Sequence, residues 1–236
     1  MLGFALGQAA GQVSCPIKTV RGLSFTVARR PTLIQRTLID MNRPTLVVLG
    51  GLPATGKSTV ASHLNKGGEF SYLRIDTIEQ ALRASEEMGD LGVQASGYMV
   101  GYAVAGDLLD GGNDVLAECV NPFKISREAW REVANSRDAG LLEVELFCSD
   151  QAEHHRRAES RGATVPGLKL PSWEAIRNRE YEPWGDANLR FDTCVASPEE
   201  VAEQIRKSVD NLAGGPSESP RGNTPRRQSG GRPQSC

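Results

Sequence analysis

The sequence predicts an α/β protein in which a parallel sheet carries helices on both faces, and three observations lead there. Five short apolar runs, residues 45–49, 72–75, 114–120, 142–148 and 191–195, alternate with segments of helical spacing. Within those runs apolar residues follow one another rather than alternating with polar ones, as in strands buried on both faces. The strand-then-helix alternation itself calls for right-handed crossovers, which gather the loops after the strands along one edge, where ligands bind in such sheets.

Each element has its own signal. The intervening helices are expected near residues 57–66, 77–88, 94–109, 126–138, 150–161, 172–180 and 198–212. The last opens with "SPEE": Ser197 caps, Pro198 takes the first helical position and Glu200 reaches back. Cys119, Cys148 and Cys194 lie in or at the end of apolar runs, as small buried hydrophobes, and no paired spacing suggests a disulfide frame or a zinc site. That usage points to a reducing, cytoplasmic setting. His63, His154 and His155 sit in helix-like polar segments without the partners a metal site needs. No run reaches the roughly 20 apolar residues of a membrane span, so no membrane partner is expected.

Of the 236 residues, 39% are hydrophobic, enough for one domain with a real core. The formal charge of -2 is unevenly spread. Residues 1–40 carry a net +4 and residues 214–236 a net +3, which leaves -9 on residues 41–213. The central region is therefore acidic, and an extensive nucleic-acid surface on it is not expected. Residues 1–40 show no clear periodicity, and two readings fit: a basic targeting segment, or sequence upstream of a functional start at Met41. Residues 214–236 are rich in Gly, Pro, Ser and Arg with almost no apolar residue, the composition of a disordered tail.

The chemistry concentrates at the end of the first strand. Gly51, Leu52, Pro53, Ala54, Thr55, Gly56, Lys57 and Ser58 match the G-x-x-x-x-G-K-[ST] phosphate-binding loop, with Thr59 following in the helix. The glycines let successive backbone N–H groups turn onto phosphate oxygens, and the helix that follows points its positive end at the same charge. Lys57 suits the β and γ phosphates of ATP, and the Ser58 hydroxyl suits Mg²⁺. Ala54 fills a position where positive φ is costly for a residue with a Cβ. A GTPase would need an N-K-x-D after a later strand, and none is present. Ring ATPases need a second domain for which the length is short.

Other candidates follow the later strands. Asp76, directly after the second strand, reads either as the base for an acceptor hydroxyl or as a helix cap paired with Glu79. Arg83, further along the same helix, suits an anionic part of the acceptor. Glu118 reads as a ligand of a magnesium-bound water or as a polar strand end, and Asn121 as an acceptor contact or a turn former before Pro122. Arg157 and Arg161, four apart on an expected helix, fit an arginine lid over the transferring phosphoryl group or a solvated face. Arg177 and Arg179, beside aromatics, suggest a flap. The segment 91–110 is expected to wall the acceptor pocket, with Tyr98 and Tyr102 on one helix face as pocket or as core.

The stretches "VVLGGLPATGKST", "RIDTIEQALR", "AECVNP", "ELFCSDQAEHHRRAESR" and "DTCVASPEEVAEQI" together resemble the P-loop predicted kinases of bacteria, which carry an AAA-type name. These are related to zeta toxins, gluconate kinase and chloramphenicol phosphotransferase, and the likeness covers residues 44–212. It implies a three-layer sandwich around a five-stranded parallel sheet of order 2-3-1-4-5, with ATP and Mg²⁺ as cofactors. It also implies that Asp76 serves the acceptor and that Arg157 and Arg161 form the lid. The expected activity is transfer of the γ-phosphate to a hydroxyl of a small-molecule acceptor. The alternatives are an ATP-binding regulatory module and a toxin-like nucleotide-sugar kinase.

Overall fold

The computed structural model describes residues 43–85, 89 and 92–213. The expectations for residues 1–40 and 214–236, including the start at Met41, lie outside the described residues. In chain order the elements are β1 (Thr45–Gly50), α1 (Lys57–Leu64), β2 (Ser71–Arg74), α2 (Ile75–Ala84), α3 (Ser96–Asp110), β3 (Val115–Glu118), α4 (Lys124–Asn135), β4 (Gly140–Phe147), α5 (Gln151–Ser160), α6 (Trp173–Arg177), β5 (Leu189–Asp192) and α7 (Pro198–Ala213).

The strands form one sheet of order β2-β3-β1-β4-β5, parallel at every pairing, as the resemblance implies. Along β1 the side chains alternate between two apolar layers. Val47 and Leu49 join Val60, Leu64, Val201 and Ile205 on the side of α1 and α7. Leu46 and Val48 join Ile75, Leu109 and Trp130 on the side of α2, α3 and α4. Period-two alternation with both faces buried is why the strand reads as unbroken apolar sequence. Because β3 flanks β1 on one side and β4 on the other, the chain's winding reverses at the carboxyl end of β1, which opens a crevice there.

Three element ends differ from expectation. The strand β3 stops at Glu118, since Asn121 turns at φ 53° and starts the loop before Pro122. In β5 the pairing runs from Leu189 to Asp192, because Thr193 to Ser197 leave the sheet to reach the capping box of α7. That box forms as read: the Ser197 N–H donates to Glu200 Oε2 at 2.9 Å and the Glu200 N–H donates to Ser197 Oγ at 3.2 Å. Finally α6 is short, and the stretch that ends at Trp184 after it packs inward rather than over the cleft. Trp184 is buried against the underside of β1, where a Cβ on Gly50 would lie 2.3 Å from its ring. The buried Arg127 guanidinium sits 4.7 Å from that ring centre and donates to the Asn121, Glu182 and Pro183 carbonyls. The "YEPW" stretch is thus a floor beneath the crevice.

A floor residue and a flap residue respond differently to truncation. Trp184→Ala is expected to cost about 3–5 kcal/mol of folding stability, as large-to-small changes of buried aromatics do. Urea unfolding followed by circular dichroism reads this; a loss within about 0.5 kcal/mol, the range of surface substitutions, would return the residue to the surface.

Candidate active site

The phosphate-binding loop begins where β1 runs out of room. Gly51 has φ 139°, and a Cβ there would lie 2.1 Å from the Leu146 carbonyl oxygen, so only glycine lets the chain leave the sheet at this point. The loop is then tied on three sides. The Gly51 N–H donates to the Val120 carbonyl at 3.0 Å, the Thr55 hydroxyl donates to the Leu52 carbonyl at 2.8 Å, and His154 Nε2 meets the Pro53 carbonyl at 2.8 Å. His154 is buried on α5, edge-on to Trp173. It is a strut of the loop, and among the described residues no group of three or more His, Cys, Asp or Glu is placed to hold a metal ion.

Ala54 holds φ 66°, the left-handed conformation that its Cβ disfavours. Gly56, at φ 89°, turns the chain into α1, whose first turn has no side-chain cap and no acidic residue. The positive end of that helix therefore faces the crevice. Lys57 is only 8% exposed and its ammonium donates to the Gly51 and Leu52 carbonyls, each at 2.8 Å. Burial lowers its pKa, opposed by the charges of Glu118 and Asp76.

Glu118, 3% exposed at the end of β3, is the hub of the opposite side. It accepts from the Ser58 hydroxyl at 2.6 Å and from the Tyr72 hydroxyl, and Arg74 Nε stands 3.6 Å away. Burial, then the Glu118 charge, pushes the Tyr72 hydroxyl above its ordinary range, so it stays a donor. Tyr72 and Arg74 carry no motif in the sequence; only the pairing of β2 with β3 brings them to Glu118.

Asp76 and the cradle share one cleft of about 1080 Å³. Asp76 lies in the first turn of α2, two residues past the cap position, and Arg74 is the N-cap residue without a side-chain cap bond. The capping reading therefore does not hold. Its carboxylate is half-exposed to the cleft, with Arg74 at 3.9 Å. Arg83 also lines the cleft and pairs with Glu79 at 2.8 Å.

The two lid arginines differ. Arg157 lies in α5 and its guanidinium is fully engaged: Nε donates to Glu153 at 2.7 Å, and Nη1 and Nη2 donate to the Thr193 hydroxyl and carbonyl at 3.0 Å each. Arg161 is past the end of α5 in extended conformation, so the two do not share a helix side. Its Nε and Nη2 are buried without a hydrogen-bond partner, and desolvation lowers its pKa. It lies within electrostatic reach of both Asp76 and Lys57.

Among the described residues of 91–110, the expected wall is not found. No residue of α3 lines the cleft, because the helix packs down on β2 and α2 at Gly97 and Gly101, where a Cβ would lie 2.4 Å from Glu79 and from Ile75. Tyr98 and Tyr102 are core: Tyr98 accepts from the Asn121 N–H at 2.8 Å and Tyr102 packs edge-on to Trp130 at 4.6 Å. Asn121 is fully buried and accepts from the Ser126 hydroxyl, which fits a turn former. The wall is supplied instead by α2 and by residues of the segment 160–172. Arg179 joins that lining, while Arg177 lines a separate hollow of about 410 Å³ with His154 and Trp173. Cys119 is buried as expected, but Cys148 and Cys194 are half-buried.

Residues 46–180 match the family model of an AAA domain, AAA_33, and the chain belongs to that family, a group of P-loop kinase type. It is 25% identical over 178 residues to the adenylyl-sulfate kinase of Prochlorococcus marinus, covering 72% of this chain and 86% of that one. It is also 25% identical to the bifunctional enzyme NodQ of Azospirillum brasilense over 203 residues, 83% of this chain but only 32% of NodQ. Among solved structures, the adenylyl-sulfate kinase CysC of Mycobacterium tuberculosis, in complex with AMPPNP and APS, superposes with a TM-score of 0.56 at 22% identity, over 72% of this chain and 99% of that one. A gluconokinase from Sinorhizobium meliloti does so at 0.51 and 18%, over 73% of this chain and 95% of that one. These likenesses place the fold with P-loop kinases.

The strain at Ala54 is testable by itself. Ala54→Gly relieves about 1–2 kcal/mol of left-handed strain and gives back about 0.5–1 kcal/mol through the freer unfolded chain, for a net gain of up to about 1.5 kcal/mol in urea unfolding. A net loss would mean that the residue rests comfortably in its turn.

Proposed function

We propose that this protein is a kinase that moves the γ-phosphate of Mg·ATP to a hydroxyl of a small-molecule acceptor. The observation that carries the reading is the convergence in one cleft of the Lys57–Ser58 cradle, the Asp76 carboxylate and the unpaired Arg161 guanidinium. Each supplies one need of phosphoryl transfer: a held donor, a base for the acceptor and a cation for charge that spreads over the equatorial oxygens. The sequence likeness to adenylyl-sulfate kinases supports the same class of reaction.

The cradle amides and the amino end of α1 hold the phosphates of ATP, and Lys57 turns from the Gly51 and Leu52 carbonyls to the β and γ oxygens. Ser58 would ligate Mg²⁺, and Glu118, 2.6 Å from its hydroxyl, would orient a water of that ion. When bound, Mg²⁺ neutralises charge developing between the β and γ phosphates. Tyr72 and Arg74 fix the Glu118 carboxylate from the far side. Asp76 takes the proton from the acceptor hydroxyl as its oxygen bonds to the γ-phosphorus and the bond to the β-bridging oxygen breaks, releasing ADP. Arg161 meets the transferring group, while Arg157 braces α5 against the loop after β5.

Incubating the protein with Mg·ATP and a metabolite library, with mass spectrometry for a gain of roughly 80 Da, tests the reading, since one phosphoryl group is transferred. Asp76→Asn should then lower turnover by about 10²–10⁴-fold with ATP affinity kept. Near-normal turnover in that variant would remove Asp76 from the reaction, and ADP release indifferent to every acceptor would leave a nucleotide-binding module. Tyr72→Phe, which frees one oxygen of Glu118, should raise the Mg²⁺ concentration needed for half-maximal turnover by about 10–100-fold. An unchanged metal dependence would detach Glu118 from the ion.

A further inference from the structure

The charge in the cleft runs against the charge of the domain around it. Residues 41–213 carry a net -9, yet the cleft is lined by seven basic side chains against three carboxylates. Pairing accounts for only part of that surplus. Arg83 is matched by Glu79 at 2.8 Å, and Arg74 stands between Asp76 at 3.9 Å and Glu118 at 3.6 Å. Lys57 and Arg157 are engaged by neighbouring oxygens. Three cations are left over among the described residues: Arg161, Lys169 and Arg179, for which no carboxylate partner is found.

On the reading above, Arg161 and the cradle answer the donor phosphates, which leaves Lys169 and Arg179 unaccounted for. Their surroundings belong to the acceptor. Asp76, Glu79, Gln80 and Arg83 occupy spacings of three, four and seven along α2, hence one face, and all four line the cleft. The segment bearing Lys169 closes on that same face: Gly167, at φ 77°, comes so near that a Cβ would lie 3.0 Å from Gln80 Nε2. On the other flank the Arg74 Nη1 donates to Thr164 at 2.7 Å, joining β2 to the segment before Lys169. A further donor, Arg74 Nε, is buried there without a hydrogen-bond partner.

We infer that the acceptor bears an anionic group in addition to the hydroxyl that is phosphorylated, and that Lys169 and Arg179, which line the cleft, hold that group. This rests on the kinase reading and adds the acceptor's class: a hydroxy compound carrying a phosphate, sulfate or carboxylate. Two cations without a carboxylate partner, lining the cleft that also holds Asp76, suit a molecule with both ends: they bind its anion while Asp76 meets its hydroxyl.

The test is calorimetric titration of sodium sulfate into the full chain, alone and with saturating Mg·AMPPNP, in wild type and in the double variant Lys169→Gln/Arg179→Gln. Sulfate should bind saturably, keep binding with the nucleotide in place, and bind about tenfold or more weakly to the variant, whose Mg·AMPPNP affinity stays within about twofold of wild type. Sulfate displaced by Mg·AMPPNP, or indifferent to the two substitutions, would overturn the inference. If Mg·AMPPNP itself fails to bind, the donor reading falls; sulfate titration with and without the double substitution in a Lys57→Ala background, which weakens the cradle's own anion site, then decides the second site, for or against. Competition against sulfate by glycerol phosphate and by glycerate separates phosphate from carboxylate as the preferred group. Equal competition by glycerol would again overturn the inference, and circular dichroism of the double variant confirms that the two exposed substitutions leave the fold in place.

Discussion

The site depends on a steric constraint at two adjacent glycines. Gly50 lies on the Trp184 ring and Gly51 lies on the Leu146 carbonyl, each too close for a Cβ. Because both surfaces press on β1 at its last residue, the chain leaves the sheet abruptly, and the loop is held by Val120, Leu52 and His154 rather than by the sheet. The cradle's amides thus face the crevice in a geometry fixed by packing beneath it. Trp184 is itself held by Arg127, whose guanidinium collects carbonyls from residues 121–122 and 182–183. Donor site and core are therefore one mechanical unit.

Glu118 is the second organising centre. A carboxylate 3% exposed would be costly if unpaired, and here three polar neighbours from α1 and β2 surround it. The same contacts that make its burial tolerable fix its distance from Ser58. Cations then outnumber carboxylates around the cleft while the rest of the domain is acidic, which gives the crevice a local positive field inside a chain whose overall charge would repel anions.

The sheet and the cradle were legible because their signals are local: apolar runs, a glycine-lysine motif and a capping box; the strand order came only with the family resemblance. The boundaries that moved did so where tertiary contact overrides pattern, as at Asn121, whose positive φ is stabilised by Tyr98 and Ser126. The acceptor side was less legible. Arg157 and Arg161 look equivalent by spacing, but the extended backbone after Ser160 and the Thr193 loop separate them, and neither is encoded nearby in sequence. The tyrosines of α3 read as core or as pocket by spacing alone, and glycines at 97 and 101, which let that helix sink onto α2, decide for core. Tyr72, Arg74 and Lys169 had no motif at all; strand pairing and a long connection bring them to the cleft.

On the kinase reading proposed above, close packing under Gly51 shapes the loop that receives Mg·ATP. Calorimetric titration of Mg·ATP into wild type and Gly51→Ala tests it most directly, with folding checked by circular dichroism. The account predicts a folded variant whose ATP affinity falls by about 100-fold or more, because the Cβ pushes the loop off the Leu146 carbonyl and disperses charge-assisted phosphate contacts. A folded Gly51→Ala protein that binds Mg·ATP as tightly as wild type would contradict it.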